Sequence, residues 1–146
     1  MQDMDNRRLF SKILVAIDGS TTAERAFARS LYLASKCNSK LDVVHAVPCE
    51  FGGDSANTFE LVERLKTKGK DILEECKRVA TKNNITIRTM SELGDPAKII
   101  IELAKNKNYD LIIMGSRGRS AFKELLLGSV VFKVVHHSKC PVMIVR

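Results

Sequence analysis

The chain has 146 residues, with 24 Lys or Arg against 17 Asp or Glu, giving a formal charge of +7 with its histidines neutral. Hydrophobic residues make up 45% and charged residues 28%. Leu, Ile and Val runs recur along the whole length, which excludes disorder as the main state.

A chain of this size buries roughly 70% of the surface its unfolded form exposes. One domain is therefore expected over 1–146, with a polar tail at 1–8. No apolar run approaches the ~20 residues that a bilayer requires. The opening residues show no signal-peptide pattern, so a cytoplasmic protein is expected. Cys37, Cys49, Cys76 and Cys140 form no CxxC pair and stand at no zinc-ligand spacing, which reads as free thiols in a reducing compartment. The positive charge raises nucleic acid as a partner. Aromatic residues are only 5%, with no Trp, so stacking platforms are scarce. Much of the excess lies at Lys66, Lys68, Lys70, Lys77, Arg78 and Lys82, interleaved with Glu63, Asp71, Glu74 and Glu75. A solvated helix face explains that pattern better than a nucleic-acid footprint.

Five short apolar runs alternate with helical patterns. Residues 13–17 form a continuous apolar run closed by Asp18-Gly19-Ser20. Over 21–35, Ala23, Ala26, Phe27, Ser30, Leu31 and Ala34 recur at helical spacing, with Ser20 or Thr21 as N-cap. The strand pattern 41–47 stops at Pro48, and an irregular segment with Gly52 and Gly53 follows. The longest helical pattern, 58–82, places Leu61, Leu65, Ile72, Cys76 and Val79 on one stripe. Gly69 weakens its middle. Residues 85–90 are rich in β-branched side chains and predict a third strand. Asp95-Pro96 then combines a capping side chain with Pro at the first helical position, ahead of the stripe Ile99, Ile100, Leu103 and Ala104. Residues 111–114 are a dense strand closed by Gly115. Residues 129–137 carry Val130, Val131, Val134 and Val135, and 142–145 make a last strand.

Near-continuous apolar strands indicate a sheet covered on both faces. The βα alternation gives an α/β fold with a parallel sheet and right-handed crossovers. Such sheets bind ligands outside the carboxyl ends of their strands, where strand order reverses. The strongest local feature lies at such an end. Gly115, Gly118 and Gly128 fall between a buried strand and a helix start, together with Ser116, Ser120 and Ser129 and the cations Arg117, Arg119 and Lys123. A lone glycine there reads as a turn. Three, leading into a helix N-terminus, fit backbone amides approaching a polyphosphate. Neither GxxxxGK[ST] nor GxGxxG occurs, so the P-loop and dinucleotide fingerprints do not apply.

Gly115-x2-Gly118-x9-Gly128-Ser129 resembles the pattern of the ATP-binding branch of the universal stress protein family. The likeness extends to Ile13-Leu-Val-Ala-Ile-Asp18-Gly19-Ser20, to Gly94-Asp95-Pro96-Ala97 and to Cys140-Pro-Val-Met-Ile-Val-Arg146. The resemblance implies a flavodoxin-like, Rossmann-like sheet of five parallel strands in the order 3-2-1-4-5. It further implies an adenine nucleotide, ATP, with Asp18 near the ribose and the metal-bound phosphates. Val47 would present its backbone to the adenine edge, and Met114, Gly115, Arg117 and Gly118 would wrap the ribose and phosphates. Gly128, Ser129 and Val130 would hold the phosphate tail.

A carboxylate beside a triphosphate calls for a hydrated Mg²⁺ or Mn²⁺ between them, held by Asp18 directly or through water. An Asp-Gly pair after a strand is also an ordinary turn signal. His45 reads as a satisfied residue of its strand, and His136 and His137 as cations at a helix C-terminus. No nucleophile–base arrangement emerges, so binding is expected, with hydrolysis slow or dependent on a partner. A slow ATPase is the alternative reading, and a basic nucleic-acid module a weaker one. The apolar strand at 142–145 would be a sheet edge. Pairing with a second copy would cover it, giving a two-fold homodimer, as the resemblance also implies.

Overall fold

The structure is a computed structural model that describes residues 9–49, 56–118 and 127–146. The tail 1–8, Gly52 and Gly53, and the candidate phosphate residues Arg119, Ser120 and Lys123 lie outside the described residues. Nine elements alternate: β1 (Lys12–Ala16), α1 (Thr21–Cys37), β2 (Lys40–Val47), α2 (Ala56–Lys82), β3 (Ile87–Leu93), α3 (Pro96–Asn106), β4 (Leu111–Gly115), α4 (Ser129–His137) and β5 (Val142–Val145). The strands form one parallel sheet in the order β3-β2-β1-β4-β5, as the resemblance implied. Strand β1 is central, with Val15 opposite both Val43 and Ile113.

Each face of the sheet carries a core. On one, Ile13, Val15, Leu41 and Val43 pack under α1 and α2 through Phe27, Leu31, Leu73 and Cys76. On the other, Leu14, Val44, Ile112 and Met114 pack under α3 and α4 through Ile100, Ala104, Val131 and Val134. Alternation along β1 sends successive side chains into opposite cores, which is why its run lacks polar residues.

Helix ends follow local chemistry. Ser20 caps α1 by accepting from the Ala23 amide, and Asp95 caps α3 by accepting from that of Lys98. Asn38 adopts a left-handed conformation that stops α1. Asn84 and Asn108 take the same conformation after α2 and α3, as asparagine does more readily than bulkier residues.

Three expectations need correction. The third strand covers Ile87–Leu93 rather than 85–90. The Ile85 amide still donates to the Ala80 carbonyl, closing α2, and pairing with β2 then continues to Leu93. Because β3 is an edge, Ser91 and Glu92 are tolerated there, and hydrophobicity gave no sign of them. In α2 the fully buried side chains are Leu73, Cys76 and Ala80, whereas Leu61 is 54% exposed. A 27-residue helix spans about 40 Å, against roughly 26 Å for the eight residues of β2, so the first turns of α2 overhang the sheet. Finally, Val135 of α4 is exposed rather than part of the core.

The charged residues assigned to a solvated face do lie there. Lys66 with Glu63, Lys77 with Glu74 and Arg78 with Glu75 form exposed pairs along α2. A buried polar network crosses the opposite side: the Asp42 carboxylate accepts from both the Tyr109 hydroxyl and the Arg88 guanidinium. Burial, and then the hydrogen bond to Asp42, push the Tyr109 phenol up to about 12. In the unfolded chain it ionises near 10, so the folded state favours the protonated phenol. That contribution to stability is present in full below pH 10 and lost as pH rises through 12. Denaturant midpoints measured between pH 9 and 12 should therefore fall less steeply for Tyr109→Phe than for the wild type.

Candidate functional site

Strand order reverses between β1 and β4, and their carboxyl ends meet side by side. After β1, Gly19 adopts a left-handed conformation (φ 79°), and the Asp18 carboxylate accepts from the Ser20 amide at 2.9 Å. After β4 the chain makes a short turn over Ser116, Arg117 and Gly118. The Ser116 amide donates to the Val145 carbonyl at 2.7 Å, and the Ser116 carbonyl accepts from the Gly128 amide at 2.8 Å. The Arg117 carbonyl accepts from the hydroxyls of Ser20 (3.2 Å) and Thr22 (2.6 Å). The start of α1, the end of β5 and the entry to α4 thus all hold this turn.

The three glycines have different tasks. A Cβ at Gly115 would stand 2.6 Å from the backbone of Thr22 and Ala23, so this glycine lets α1 pack onto β4. A Cβ at Gly118 would lie 2.9 Å from Asp18 Oδ2, so here the missing side chain keeps room beside the carboxylate. Gly128 rests its Cα side on the backbone of the 116–118 turn. It precedes α4 without a side-chain cap, in extended conformation, leaving the first amides of the helix to find other partners.

Over the end of β1 lies a cavity of about 290 Å³. Of the residues singled out from sequence, Asp18, Met114, Gly115, Arg117, Gly118 and Val130 line it. Gly128, packed against the turn, and Ser129 are not among the lining residues. Val47 is also outside: it is buried, and its carbonyl accepts from the Gly94 amide at 3.0 Å. Its neighbour Ala46 lines the cavity instead.

The sequence reading missed the α2 wall, made by Leu65, Lys68 and Ile72, and also His45. His45 is 7% exposed, and its Nδ1 lies 2.7 Å from the Ile17 carbonyl, to which it donates. Gly69 of α2 sits directly against the ring, where a Cβ would come within 2.4 Å of Cδ2. A glycine in mid-helix was the one available sign of this contact.

Among the described residues no group of three His, Cys, Asp or Glu could hold a metal ion by itself. The four cysteines are unpaired thiols. Burial pushes the Cys76 thiol up to about 11, which makes it inert at neutral pH. No helix of the described residues is long and apolar enough to cross a membrane.

A doubly wound parallel sheet with a glycine-lined cleft at its switch point defines the class: an α/β protein of flavodoxin-like topology. Residues 9–146 match the model of the universal stress protein family, and the chain belongs to that family. It is 36% identical to universal stress protein YxiE of Bacillus subtilis, over 94% of this chain and all of that one. Among solved structures it resembles universal stress protein UspA from Lactobacillus plantarum, with TM-score 0.88 and 25% identity, covering 94% of this chain and 98% of the other. It also resembles a universal stress protein solved in complex with cAMP, with TM-score 0.73 and 28% identity over 94% and 98% of the two chains.

Gly69→Ala separates helix propensity from packing. In an exposed helix the change stabilises by up to about 1 kcal/mol. Here the added methyl meets a buried ring already tied to the backbone, and overpacking of that kind costs about 1–3 kcal/mol. Urea unfolding should therefore show a lower midpoint for Gly69→Ala than for the wild type.

Proposed function

We propose that this chain is an ATP-binding universal stress protein, a nucleotide-dependent switch whose ligand lies in the cleft between the ends of β1 and β4. The observation that carries the reading is the 115–118 turn. It forms part of the cavity wall, is fixed from behind by Ser20 and Thr22, and leaves room beside Asp18 because residue 118 has no side chain. The uncapped start of α4 adjoins the turn, and Val130 of its first turn lines the cavity, which suits a helix N-terminus to phosphate. The relative in complex with cAMP supports an adenine nucleotide as the class of ligand.

Arg117 adds positive charge on the same side. Asp18 would hold a hydrated Mg²⁺ or Mn²⁺ against the phosphates. One carboxylate with phosphate oxygens is an ordinary donor set for Mg²⁺, so the residues present fit such an ion, which would screen the repulsion between carboxylate and triphosphate. Among the described cavity residues Asp18 is the one carboxylate, and the His45 Nδ1–H is committed to the Ile17 carbonyl. Binding without rapid hydrolysis is therefore the function proposed. The whole chain is read as a single cytoplasmic domain.

A two-fold homodimer through β5 completes the proposal. This strand pairs with β4 on one side only, and Met143 is 37% exposed on it. Phe132 and Val135 of α4, the helix that leads into β5, are also exposed.

Two measurements test these readings. Calorimetry with ATP and Mg²⁺ should show saturable binding by the wild type and its loss in Gly118→Val, while Asp18→Asn should lose the enhancement that Mg²⁺ gives. Equal binding by wild type and Gly118→Val would sink the site. In sedimentation, the wild type should run as a dimer and Met143→Lys as a monomer. A monomeric wild type would remove β5 as an interface.

A further inference from the structure

His45 stands out among the buried polar groups because half of its hydrogen-bonding capacity is used and half is not. A carbonyl oxygen can only accept, so the contact with Ile17 places the proton of the neutral imidazole on Nδ1. Nε2 then carries a lone pair. No described residue donates to it. No sealed side-chain nitrogen or oxygen lacks a partner, so Nε2 keeps some accessible surface, and His45 is a lining residue of the cavity. The Cδ2–Nε2 edge faces Gly69, and the neighbouring turns of that helix supply Leu65, Lys68 and Ile72 to the same cavity.

The cavity has two chemically distinct ends. Asp18, Arg117 and Gly118 form a polar end. Val44, Ala46, Leu65 and Ile72 make the other end mainly apolar, with His45 and Lys68 as its polar groups. A nucleotide whose phosphates lie at the polar end puts its flat base at the apolar one. Any polar group on the buried edge of that base must then find a partner.

We propose that His45 Nε2 accepts a hydrogen bond from the exocyclic amino group of a 6-aminopurine and so sets base specificity. This rests on the nucleotide reading above. A 6-amino group donates, whereas the 6-oxo group of hypoxanthine or guanine presents an acceptor. In the oxo case two lone pairs face each other in a desolvated site. Orientation of the ring by Ile17, and the room supplied by Gly69, hold the acceptor in place before any ligand arrives.

The test compares three ligands that share ribose and a 5′-phosphate but differ at position 6: amino (AMP), hydrogen (purine riboside monophosphate) and oxo (IMP). The wild type should prefer AMP over IMP by roughly tenfold or more, the size expected for leaving one buried group unsatisfied, with the unsubstituted purine between them. His45→Asn places an amide donor where Nδ1 stood and has no atom at the Nε2 position. It should bind AMP and IMP nearly equally. His45→Gln, which restores an acceptor there, should recover part of the preference. A histidine with a merely structural role would change all affinities together and leave their ratio intact.

Should His45→Asn fail to fold, the ranking of the three ligands by the wild type still decides the matter. A wild-type ratio near one, or a ratio unchanged in His45→Asn, would overturn this inference while leaving the site in place. Failure of the wild type to bind ATP, AMP or IMP would overturn the site itself.

Discussion

The hydroxyls of Ser20 and Thr22 converge on one carbonyl oxygen, that of Arg117, and the geometry of the cleft depends on this junction. It joins the start of α1 to the turn after β4, two segments nearly a hundred residues apart in sequence. Gly115 permits the approach that these hydrogen bonds require. The turn is held further by Val145 at one side and Gly128 at the other. A three-residue segment with so many backbone ties would lose little freedom to the ligand proposed for it, and ordering cost is a large part of what opposes binding. Ser20 and Thr22 thus do more than begin a helix: they connect helix capping to the shape of the cleft.

Topology puts that junction where it is useful. Because β1 pairs with both β2 and β4, the chain leaves the two neighbouring strand ends toward opposite faces of the sheet, and a crevice opens between the departing segments. The overhang of α2 adds a wall that the sheet alone would not supply. A helix matched to the length of β2 would end near the rim, and Leu65 and Lys68 would not border the cavity. The mismatch in length that exposes Leu61 also encloses the apolar end of the cleft.

Much of the fold was legible because the inner strands are buried on both faces. Runs such as Ile13-Leu-Val-Ala and Leu111-Ile-Ile-Met admit few other readings, and Asp95 marked the start of α3 to the residue, while Ser20 or Thr21 marked that of α1 to within one. Legibility failed where burial is one-sided. The Ser91-Glu92 end of β3 and the Leu61 turn of α2 follow pairing and length, neither of which leaves a periodic trace.

The cleft divides in the same way. The glycines announced a close backbone approach, yet sequence alone could not tell that residue 115 serves a helix contact and residue 118 the room beside Asp18. The family resemblance pointed to Val47, whereas the structure lines the cavity with Ala46 and His45. The α2 wall comes from residues more than forty positions away from the motif, and only tertiary packing brings it there.

Gly69 and His45 show how one cost can serve two ends. Glycine in a helix interior costs up to about 1 kcal/mol relative to alanine, and a helix of this length could easily avoid it. Alanine would collide with the His45 ring. Moving the ring would break its bond to Ile17, the residue just before Asp18, and would disturb the turn that carries the carboxylate. Replacing His45 by an apolar side chain would relieve the crowding but would leave the Ile17 carbonyl without that donor. The pair is therefore constrained jointly: the weakness in α2 gives the imidazole its place, and the imidazole ties β2 to the strand end from which the site begins.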